Sequence, residues 1–374
     1  MSMFKRIIIT GMTTNRGGVE SFLFNYVSRL QGDIQFDFWC NNEYCAYENG
    51  LKDLGCKFFH GTAYGNNPVK AKSDMRDFFA NHASEYDVLW CNASMLVHID
   101  ELKFAKKYGV QKRILHSHNS RNMFSGLNGR IKASLHFVNR IRANKLATDY
   151  WACSREAGEY FFAEENINSS HYRFIPNAID TSQFAFNPAL RLKKRSELGI
   201  SDESHVIGFV GRLQYQKDPE LLMRIFVEYH KKDAKSILLV IGDGELKAQC
   251  KAIIAASQLE QSVLFLGNRT DVNELYQAMD VFCLTSRFEG FGIVCIEAQC
   301  AGLPCIVSES LPSDIVLTNL ISKVNHESSV ERWSELIVQA SNSGVKRDRR
   351  NKEIDSRGFD INSAASQIKH LFQC

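Results

Sequence analysis

Short apolar runs alternate with amphipathic segments along the whole chain. The runs are rich in Ile, Leu, Val and Phe, which favours buried strands, and the segments between them have the spacing of helices. This alternation predicts an α/β protein whose parallel sheets carry helices on both faces. The apolar runs are KRIIIT, DFWC, YDVLWCN, RILHSH, YRFIP, VIGFVG, SILLVIG, VLFLG, DVFCLT and PCIVS.

The chain is too long for a single hydrophobic core. Its 374 residues predict two domains of about 150 to 200 residues each. The alternation loosens between Pro176 and His205, so the domain boundary is expected there. We predict two Rossmann-like, doubly wound domains facing across a cleft, formed by residues 1–180 and 181–357. In such sheets, ligands bind beyond the carboxyl ends of the strands.

The composition is that of an ordinary globular protein, with 44% hydrophobic and 23% charged residues. The apolar run at the N-terminus is too short for a signal peptide, and no stretch approaches the roughly 18 apolar residues of a membrane-spanning helix. These features predict a cytoplasmic location. The eleven cysteines include no C-x-x-C pair and are expected to be reduced, buried thiols.

The stretch from Phe282 to Glu309 has the pattern of a strand, a glycine turn and a helix. Such a turn brings backbone N–H groups and the positive end of a helix dipole together, which favours a bound phosphate. Glu289 and Glu297 would repel phosphate, so they are expected to accept hydrogen bonds from neutral hydroxyls. A sugar nucleotide has hydroxyls on both sides of its diphosphate. The alternative is a solvated Glu289 and a capping Glu297.

The segment EGFGIVCIEA resembles the E-x7-E signature of the family 4 retaining glycosyltransferases, which have the two-domain GT-B fold. The resemblance implies that Glu289 contacts hydroxyls of the transferred sugar and that Glu297 contacts the nucleotide ribose. It also implies that the backbone amides of Phe291, Gly292 and Ile293 meet the donor sugar and the diphosphate.

The resemblance also assigns a part to each domain. The first domain would bind the acceptor, and the second would bind the nucleotide sugar. In GT-B enzymes the last helix commonly crosses back onto the first domain, and this is expected here of residues 358–374.

Two cations follow the strand VIGFVG. Arg212 and Lys217 lie five positions apart after Gly211, and a guanidinium fork with a point charge suits a diphosphate leaving group. Ordinary surface charges are the alternative. The segment is similar to the family's G-R-L-x-x-x-K-G pattern, which assigns Gly211, Arg212 and Lys217 to the donor site. Asp218 stands where glycine is commoner, a variation that a helix start tolerates.

The loop TTNRGGVE follows the first strand and opens the first helix. Gly17 and Gly18 could place backbone N–H groups against a phosphate or a sugar, although a glycine pair also serves as a simple turn. In family 4 the equivalent loop lies over the transferring sugar. The resemblance therefore assigns both glycines to the donor site.

The strand RILHSHNS ends in His116 and His118, which point to the same face. Without nearby Cys, Asp or Glu they make a poor metal site. A histidine at a strand end can form hydrogen bonds or transfer a proton, and the alternative is a purely structural histidine. Family 4 members often carry a histidine here that contacts the donor sugar or the acceptor, and the resemblance favours His118 over His116.

Three further loops carry weaker signals. IGDGEL could be a phosphate loop or an ordinary capped helix start, and family 4 has G-x-G there. In LGNRTDVNELY, Asn268 and Arg269 stand where related enzymes hold the nucleotide base. FIPNAID resembles the family's N-G-[VI]-D hinge, with Ala178 in place of the usual glycine.

Charge is unevenly distributed, because no acidic residue and eleven Lys or Arg lie between Glu101 and Asp149. Residues 127–146 of this stretch, LNGRIKASLHFVNRIRANKL, predict a basic amphipathic helix that binds an anionic membrane surface. A helix packed on the first domain with a solvated basic face is the alternative. Nucleic acid is not expected as a partner, since no binding motif accompanies the charge.

The function implied is that of a retaining, hexosyltransferase-type glycosyltransferase. It would transfer a sugar from a nucleoside diphosphate sugar, a UDP-sugar first, to a hydroxyl of a glycan or lipid-linked oligosaccharide in bacterial capsule, exopolysaccharide or O-antigen synthesis. The chain has no D-x-D pair, and neither a metal nor another cofactor is expected. The alternatives are a non-catalytic sugar-nucleotide-binding partner and a GT-B epimerase or phosphorylase.

Overall fold

The computed structural model describes residues 5–373 except 16, 31, 33, 123, 125 and 349. The chain forms two compact units. Unit 1 comprises Met1–Ala178 and Ile361–Cys374, and unit 2 comprises Ile179–Asp360. Unit 1 is therefore built from both ends of the chain.

Each unit is built on one sheet whose neighbouring strands run parallel. The order in unit 1 is β3-β2-β1-β4-β5-β6-β7, and in unit 2 it is β10-β9-β8-β11-β12-β13. The strands are β1 Lys5–Thr10, β2 Ile34–Cys40, β3 Lys57–His60, β4 Val88–Ala93, β5 Lys112–Ser117, β6 Asp149–Ala152, β7 Tyr172–Phe174, β8 Val206–Val210, β9 Ile237–Ile241, β10 Val263–Gly267, β11 Val281–Leu284, β12 Cys305–Ser308 and β13 Ile321–Val324.

Helices connect the strands, and several begin where the sequence places a capping residue before proline. Asn67, Asn187 and Asp218 each accept a backbone N–H at the helix start, and proline occupies the first helical position, where no N–H is needed. The helices are α1 Gly18–Leu30, α2 Glu48–Asp53, α3 Pro68–His82, α4 Asp100–Lys107, α5 Gly126–Leu146, α6 Arg155–Phe161, α7 Glu164–Ile167, α8 Thr181–Phe184, α9 Pro188–Glu197, α10 Pro219–His230, α11 Lys247–Ala256, α12 Val272–Ala278, α13 Ile293–Cys300, α14 Val330–Ser341, α15 Arg350–Ser356 and α16 Ile361–Gln373.

The core of unit 1 lies on both faces of its sheet. Along β1, Ile7 and Ile9 pack into one apolar layer and Ile8 into the other, because successive side chains of a strand point to opposite faces. The C-terminal helix α16 completes the first layer. Its Phe372 packs with ring centroids 5.2 Å from Trp90 and 5.3 Å from Trp151.

One expectation about the cysteines is wrong. Cys40, at the end of β2, and Cys45, in the following loop, form a disulfide instead of remaining separate thiols. The sequence spacing did not indicate the pairing. The two residues are five positions apart, and the loop after β2 turns so that their side chains meet. The other cysteines in the described part of the chain are free and buried, as expected.

Candidate functional site

The glycine turn of unit 2 connects β11 to α13, as the sequence predicts. Gly292 has a φ of 89° directly before the first helical residue, a left-handed conformation that favours glycine. Thr285 and Ser286, which follow β11, are fully buried. The backbone of Phe291, Gly292 and Ile293 thus lies at the start of α13, where helical N–H groups have no partner within the helix itself.

Glu289 lies in this turn and is only 5% exposed, so the alternative of a solvated side chain is wrong. Its Oε1 accepts hydrogen bonds from Lys217 Nζ at 2.5 Å and from Ser286 Oγ at 2.6 Å. The structure thus brings together two residues that are 72 positions apart in the sequence. A buried carboxylate with a charged partner is a strong hydrogen-bond acceptor for a polar ligand.

Lys217 and Glu289 are held by two loops that are bonded to each other along their length. Thr285 Oγ1 donates to the Lys217 carbonyl oxygen at 3.0 Å, and Arg287 N donates to the Gln216 carbonyl oxygen at 2.8 Å. These bonds fix the backbone on both sides of the ion pair. The two loops therefore form one rigid support for it.

Behind this support, Asp218 makes contacts that the sequence did not reveal. Its Oδ2 lies 2.5 Å from an Arg287 nitrogen and 3.0 Å from His326 Nε2. Asp218 has a φ of 45°, which aspartate tolerates better than most residues. The only sequence signal was the replacement of the family's glycine, because His326 lies 108 positions away.

Gly211 and Arg212 begin the loop that carries Lys217. A Cβ at position 211 would lie 3.3 Å from Lys217 Cε, so glycine leaves space for the lysine side chain. Arg212 is exposed, and within the described residues its side chain has no hydrogen-bond or ion-pair partner. Its guanidinium is therefore available to a ligand.

Glu297 lies within α13 rather than at its cap. Its Oε2 is 2.9 Å from the hydroxyl oxygen of Tyr276, which also lies 3.1 Å from the Val294 carbonyl oxygen. Burial raises the pKa of Glu297 to about 7. The carboxyl therefore changes charge near neutral pH.

The predicted base-binding residues follow β10. Asn268 and Arg269 are exposed, and the Arg269 guanidinium donates two hydrogen bonds of 2.8 Å to the carboxylate of Asp271. The glycines of IGDGEL have a packing role, because a Cβ at Gly242 or Gly244 would overlap the backbone of residues 211 or 213. The alternative of a structural turn thus accounts for those two glycines.

The glycine loop of unit 1 is closed by its own glutamate. Glu20 is 5% exposed, and its carboxylate accepts hydrogen bonds from Thr13 N at 3.0 Å, Thr13 Oγ1 at 2.7 Å and Gly17 N at 3.1 Å. The N–H of Gly17 is therefore already occupied. A Cβ at Gly18 would meet no atom within 4 Å, so open space lies above the start of α1.

His116 and His118 end β5 with their ring centroids 4.1 Å apart. Asn92 Nδ2 donates to the Thr10 and Trp90 carbonyl oxygens, so its Oδ1 faces His118 and accepts from Nε2 at 2.9 Å. His118 thus keeps its proton on Nε2, and burial lowers its pKa to about 3. Its Nδ1, an acceptor, is buried without a partner among the described residues.

His116 is more enclosed than His118. It is fully buried, and its Nδ1 accepts from Trp90 Nε1 at 3.3 Å. Burial also lowers its pKa well below the ordinary value. Its Nε2 is also buried without a partner among the described residues, and its ring packs with Trp90, Trp151 and Phe22.

Comparison with known proteins identifies a matching protein family. Residues 191–356 match the family described as "Glycosyl transferases group 1". The match lies within unit 2 and identifies this segment as a group 1 glycosyltransferase domain. The resemblance stated from the sequence is thereby confirmed.

The relatives of this glycosyltransferase point the same way. It is 28% identical over 371 residues to the putative glycosyltransferase EpsF of Bacillus subtilis (strain 168), covering 98% of this chain and 95% of EpsF. It is 29% identical over 242 residues to the UDP-Gal:alpha-D-GlcNAc-diphosphoundecaprenol alpha-1,3-galactosyltransferase of Escherichia coli, covering 62% of each chain.

Among solved structures, Anabaena HepE in complex with UDP-glucose has a TM-score of 0.78 at 19% identity, covering 98% of this chain and 99% of HepE. This likeness shows the fold. The predicted GT-B fold of the glycosyltransferase, with two parallel-sheet α/β domains, is confirmed.

A second surface of the glycosyltransferase is helix α5 of unit 1, whose apolar side chains point to solvent. Leu127 is 75% exposed and Ile141 is 65% exposed. Among the described residues, no helix is both long and apolar enough to cross a membrane. The large apolar residues exposed on α5 are Leu127, Ile131, Leu135, Phe137, Val138 and Ile141.

The opposite face of α5, which packs on unit 1, is small or polar. Gly129, His136 and Ala143 are buried and recur every seven residues, the spacing of one helix face. Asn139 Nδ2 donates to the Leu96 and Val97 carbonyl oxygens at 2.9 and 3.0 Å. The helix is thus anchored by polar contacts.

The basic residues of α5 differ in their contacts. The Arg140 guanidinium donates to the Glu159 and Phe162 carbonyl oxygens, so it is part of the internal anchoring. Arg130, Arg142 and Lys145 are exposed. These three cations share the outer surface of α5 with the apolar side chains.

Within the residues that the structure describes, no cluster of three or more His, Cys, Asp or Glu side chains could hold a metal ion. The positive charge in contact with Glu289 is the ammonium group of Lys217.

Proposed function

We propose that the chain transfers a sugar from a nucleoside diphosphate sugar to an acceptor hydroxyl, with retention at the anomeric carbon. The observation that carries this proposal is the ion pair of Lys217 and Glu289, held by Ser286 beside the start of α13. The bond between the anomeric carbon and the diphosphate breaks, the acceptor oxygen bonds to that carbon, and the hydroxyl proton passes to the diphosphate.

Each residue near the turn has a part in this proposal. Glu289 accepts hydrogen bonds from sugar hydroxyls, while Lys217, Arg212 and the amides at the start of α13 stabilise the departing diphosphate. Loss of one such donor typically costs about 3 to 4 kcal/mol of transition-state stabilisation. Because these groups supply the positive field, the reaction needs no metal ion.

The remaining donor contacts are assigned by the resemblance. Glu297 binds the ribose, the region of Asn268 and Arg269 binds the base, and Gly17 and Gly18 lie near the transferring sugar. His118 offers its unpartnered Nδ1 to a hydroxyl of the sugar or the acceptor. Uracil is the favoured base, because the Escherichia coli relative is named for UDP-Gal and HepE holds UDP-glucose.

The acceptor proposed is a lipid-linked or free oligosaccharide of a bacterial surface polysaccharide. Support comes from the name of the Escherichia coli relative, which acts on a diphosphoundecaprenol-linked sugar. The pathway proposed is capsule, exopolysaccharide or O-antigen synthesis. We place the reaction on the inner face of the plasma membrane, which is in contact with the cytosolic pool of nucleotide sugars.

A peripheral membrane contact through α5 is part of the proposal. The exposed apolar side chains would enter the headgroup region, and Arg130, Arg142 and Lys145 would face anionic lipid. At about 1 kcal/mol for each basic residue near an anionic surface, these cations support reversible attachment.

The proposal is tested with purified protein and a panel of nucleotide sugars. We expect a thermal shift and slow release of nucleoside diphosphate with UDP-sugars, and an α-linked product from an α-linked donor by NMR. A β-linked product would contradict retention.

A matched chelation experiment tests the leaving-group model. Turnover should be unchanged in EDTA, because Arg212 and Lys217 provide the charge. Loss of turnover that Mg²⁺ or Mn²⁺ restores would exclude this model.

A further inference from the structure

A basic pocket lies between α4 and α5, outside the donor site. It has a volume of about 390 Å³ and is lined by Lys103, Lys106, Arg142, Lys145 and Leu146. The pocket is open to solvent rather than enclosed. Two helices thus contribute two cations each to one concave surface.

Most of the positive charge in the pocket is not neutralised by the protein. Lys103 Nζ lies 3.2 Å from Asp100 Oδ1, so one of the four cations has a carboxylate partner. Lys106, Arg142 and Lys145 are exposed and have no ion-pair partner among the described residues. Like charges gathered without counter-charges repel each other, and an anion in the pocket removes that cost.

The pocket is continuous with the apolar surface of α5. Val138 precedes Arg142 by four residues and Ile141 precedes Lys145 by four, so each apolar side chain is one turn from a cation of the pocket. Both Val138 and Ile141 are more than half exposed. A ligand that fits both features carries an anionic group beside an apolar chain.

The geometry points to this pocket as the binding site for the phosphate of an anionic phospholipid headgroup at the surface of a bilayer. Arg142 supplies a planar fork that matches two phosphate oxygens, and the lysines add point charges. The acyl chains then lie against the apolar surface of α5. This inference rests on the proposed membrane contact, to which it adds a specific lipid site.

A diffuse basic surface is the competing explanation. In that case, any two exposed cations of α4 and α5 would contribute equally to binding. The chain offers a matched control, because Lys107 and Arg130 lie on the same two helices, are exposed and are outside the pocket.

The experiment compares Lys106→Ala/Arg142→Ala with Lys107→Ala/Arg130→Ala in the full chain. Co-sedimentation is measured with vesicles of phosphatidylcholine alone and of phosphatidylcholine mixed with phosphatidylglycerol. Soluble glycerophosphoglycerol and inorganic phosphate serve as competitors. Thermal unfolding checks that both variants are folded, as expected for substitutions of exposed side chains.

We expect the wild type to bind the anionic vesicles preferentially. The pocket variant should lose about thirtyfold in affinity, since it lacks two basic residues that each contribute about 1 kcal/mol at an anionic surface, and the control variant no more than about fivefold, the contribution of Arg130 alone. Glycerophosphoglycerol should compete better than inorganic phosphate. Equal losses in both variants, or equal competition by the two anions, would overturn the headgroup site.

Failure of this inference can be distinguished from failure of the proposed function. The vesicle assay contains no donor sugar, and donor hydrolysis without vesicles involves none of the pocket residues. A wild type that binds neither kind of vesicle refutes the lipid site and the membrane contact, while donor turnover continues to test the transferase.

Discussion

Two loops of this protein have the same plan but use a glutamate in different ways. In unit 1, β1 leads through Gly17 and Gly18 into α1, and Glu20 accepts hydrogen bonds mainly from the backbone of its own loop. In unit 2, β11 leads through a glycine turn into α13, and Glu289 accepts from the side chains of Lys217 and Ser286. A carboxylate bonded to side chains can exchange a partner for a ligand, whereas one bonded to backbone holds the loop in shape. The comparison separates a glutamate with a charged side-chain partner, which we propose to be the reactive one, from a glutamate that supports its own loop.

Among the substitutions that test this comparison, Glu289→Gln should have the largest effect on activity. Glu289→Gln is expected to lower kcat/KM by about a thousandfold, near 4 kcal/mol, because the amide cannot act as a charged acceptor. The variant should still fold, since the amide oxygen can accept from Ser286, but its melting temperature should fall because Lys217 loses its charged partner. Steady-state kinetics and thermal unfolding measure both, with Glu335→Gln on α14 as a control. Retained activity would remove Glu289 from the catalytic site.

In unit 1, the Nδ1 of His118 is an acceptor without a partner among the described residues, so it could bind a ligand hydroxyl. His118→Ala is expected to lower kcat/KM by about a hundredfold, near 2.7 kcal/mol, as is typical for loss of a positioned acid, base or hydrogen-bonding group. His116→Ala should mainly reduce the melting temperature, because His116 packs among buried aromatic rings. If both variants lose activity equally, the distinction between the two histidines fails.

Replacing Glu20 tests the supporting loop directly. Glu20→Gln is expected to reduce the free energy of unfolding by about 2 kcal/mol, because an amide NH₂ would face a backbone N–H that now has an acceptor. Donor turnover by the folded fraction should fall less than in Glu289→Gln. Denaturant unfolding and kinetics on the same sample provide both values, and a stable but inactive variant would reverse the assigned roles.

Replacing Glu297 should have the smallest effect, and that effect should be mainly on donor binding. Glu297→Gln is expected to raise KM about tenfold above pH 8 with little change in kcat, because ribose contacts are similar in the ground and transition states. The pKa of Glu297 is raised to about 7, so the charged acceptor is present above that pH. The KM of the wild type should therefore fall as pH rises through 7, and the variant should lack this dependence. A loss confined to kcat would contradict ribose binding.

Much of the glycine turn between β11 and α13 could be predicted from the sequence. Glycine before an apolar helix predicts the left-handed residue at Gly292, and the resemblance singled out Lys217 and Glu289, which the fold brings together. The contact of Asp218 with His326 could not be predicted, because it joins loops after strands at different positions in the sheet. The bond between Cys40 and Cys45 was missed for a different reason, because these residues are only five positions apart and no C-x-x-C pattern marked them.

The orientation of α5 shows a different limit of sequence reasoning. Periodicity identified an amphipathic helix, but it does not determine which face packs against the protein. The missed signal was the seven-residue recurrence of Gly129, His136 and Ala143, whose small or polar side chains allow close packing. Asn139 and Asn144, on the same side, donate the anchoring hydrogen bonds. Their acceptors include the carbonyl oxygens of Leu96 and Phe161.

The position of α16 has a consequence for synthesis of the chain. Unit 1 needs Phe372 and its neighbours on α16 to complete one apolar layer. The roughly 180 residues of unit 2 are translated after the first part of unit 1 and before α16. At about 5 to 20 residues per second, the ribosome takes about 10 to 40 s to supply that helix. During this time the nascent first unit lacks the side chains of α16, so part of one apolar layer stays exposed.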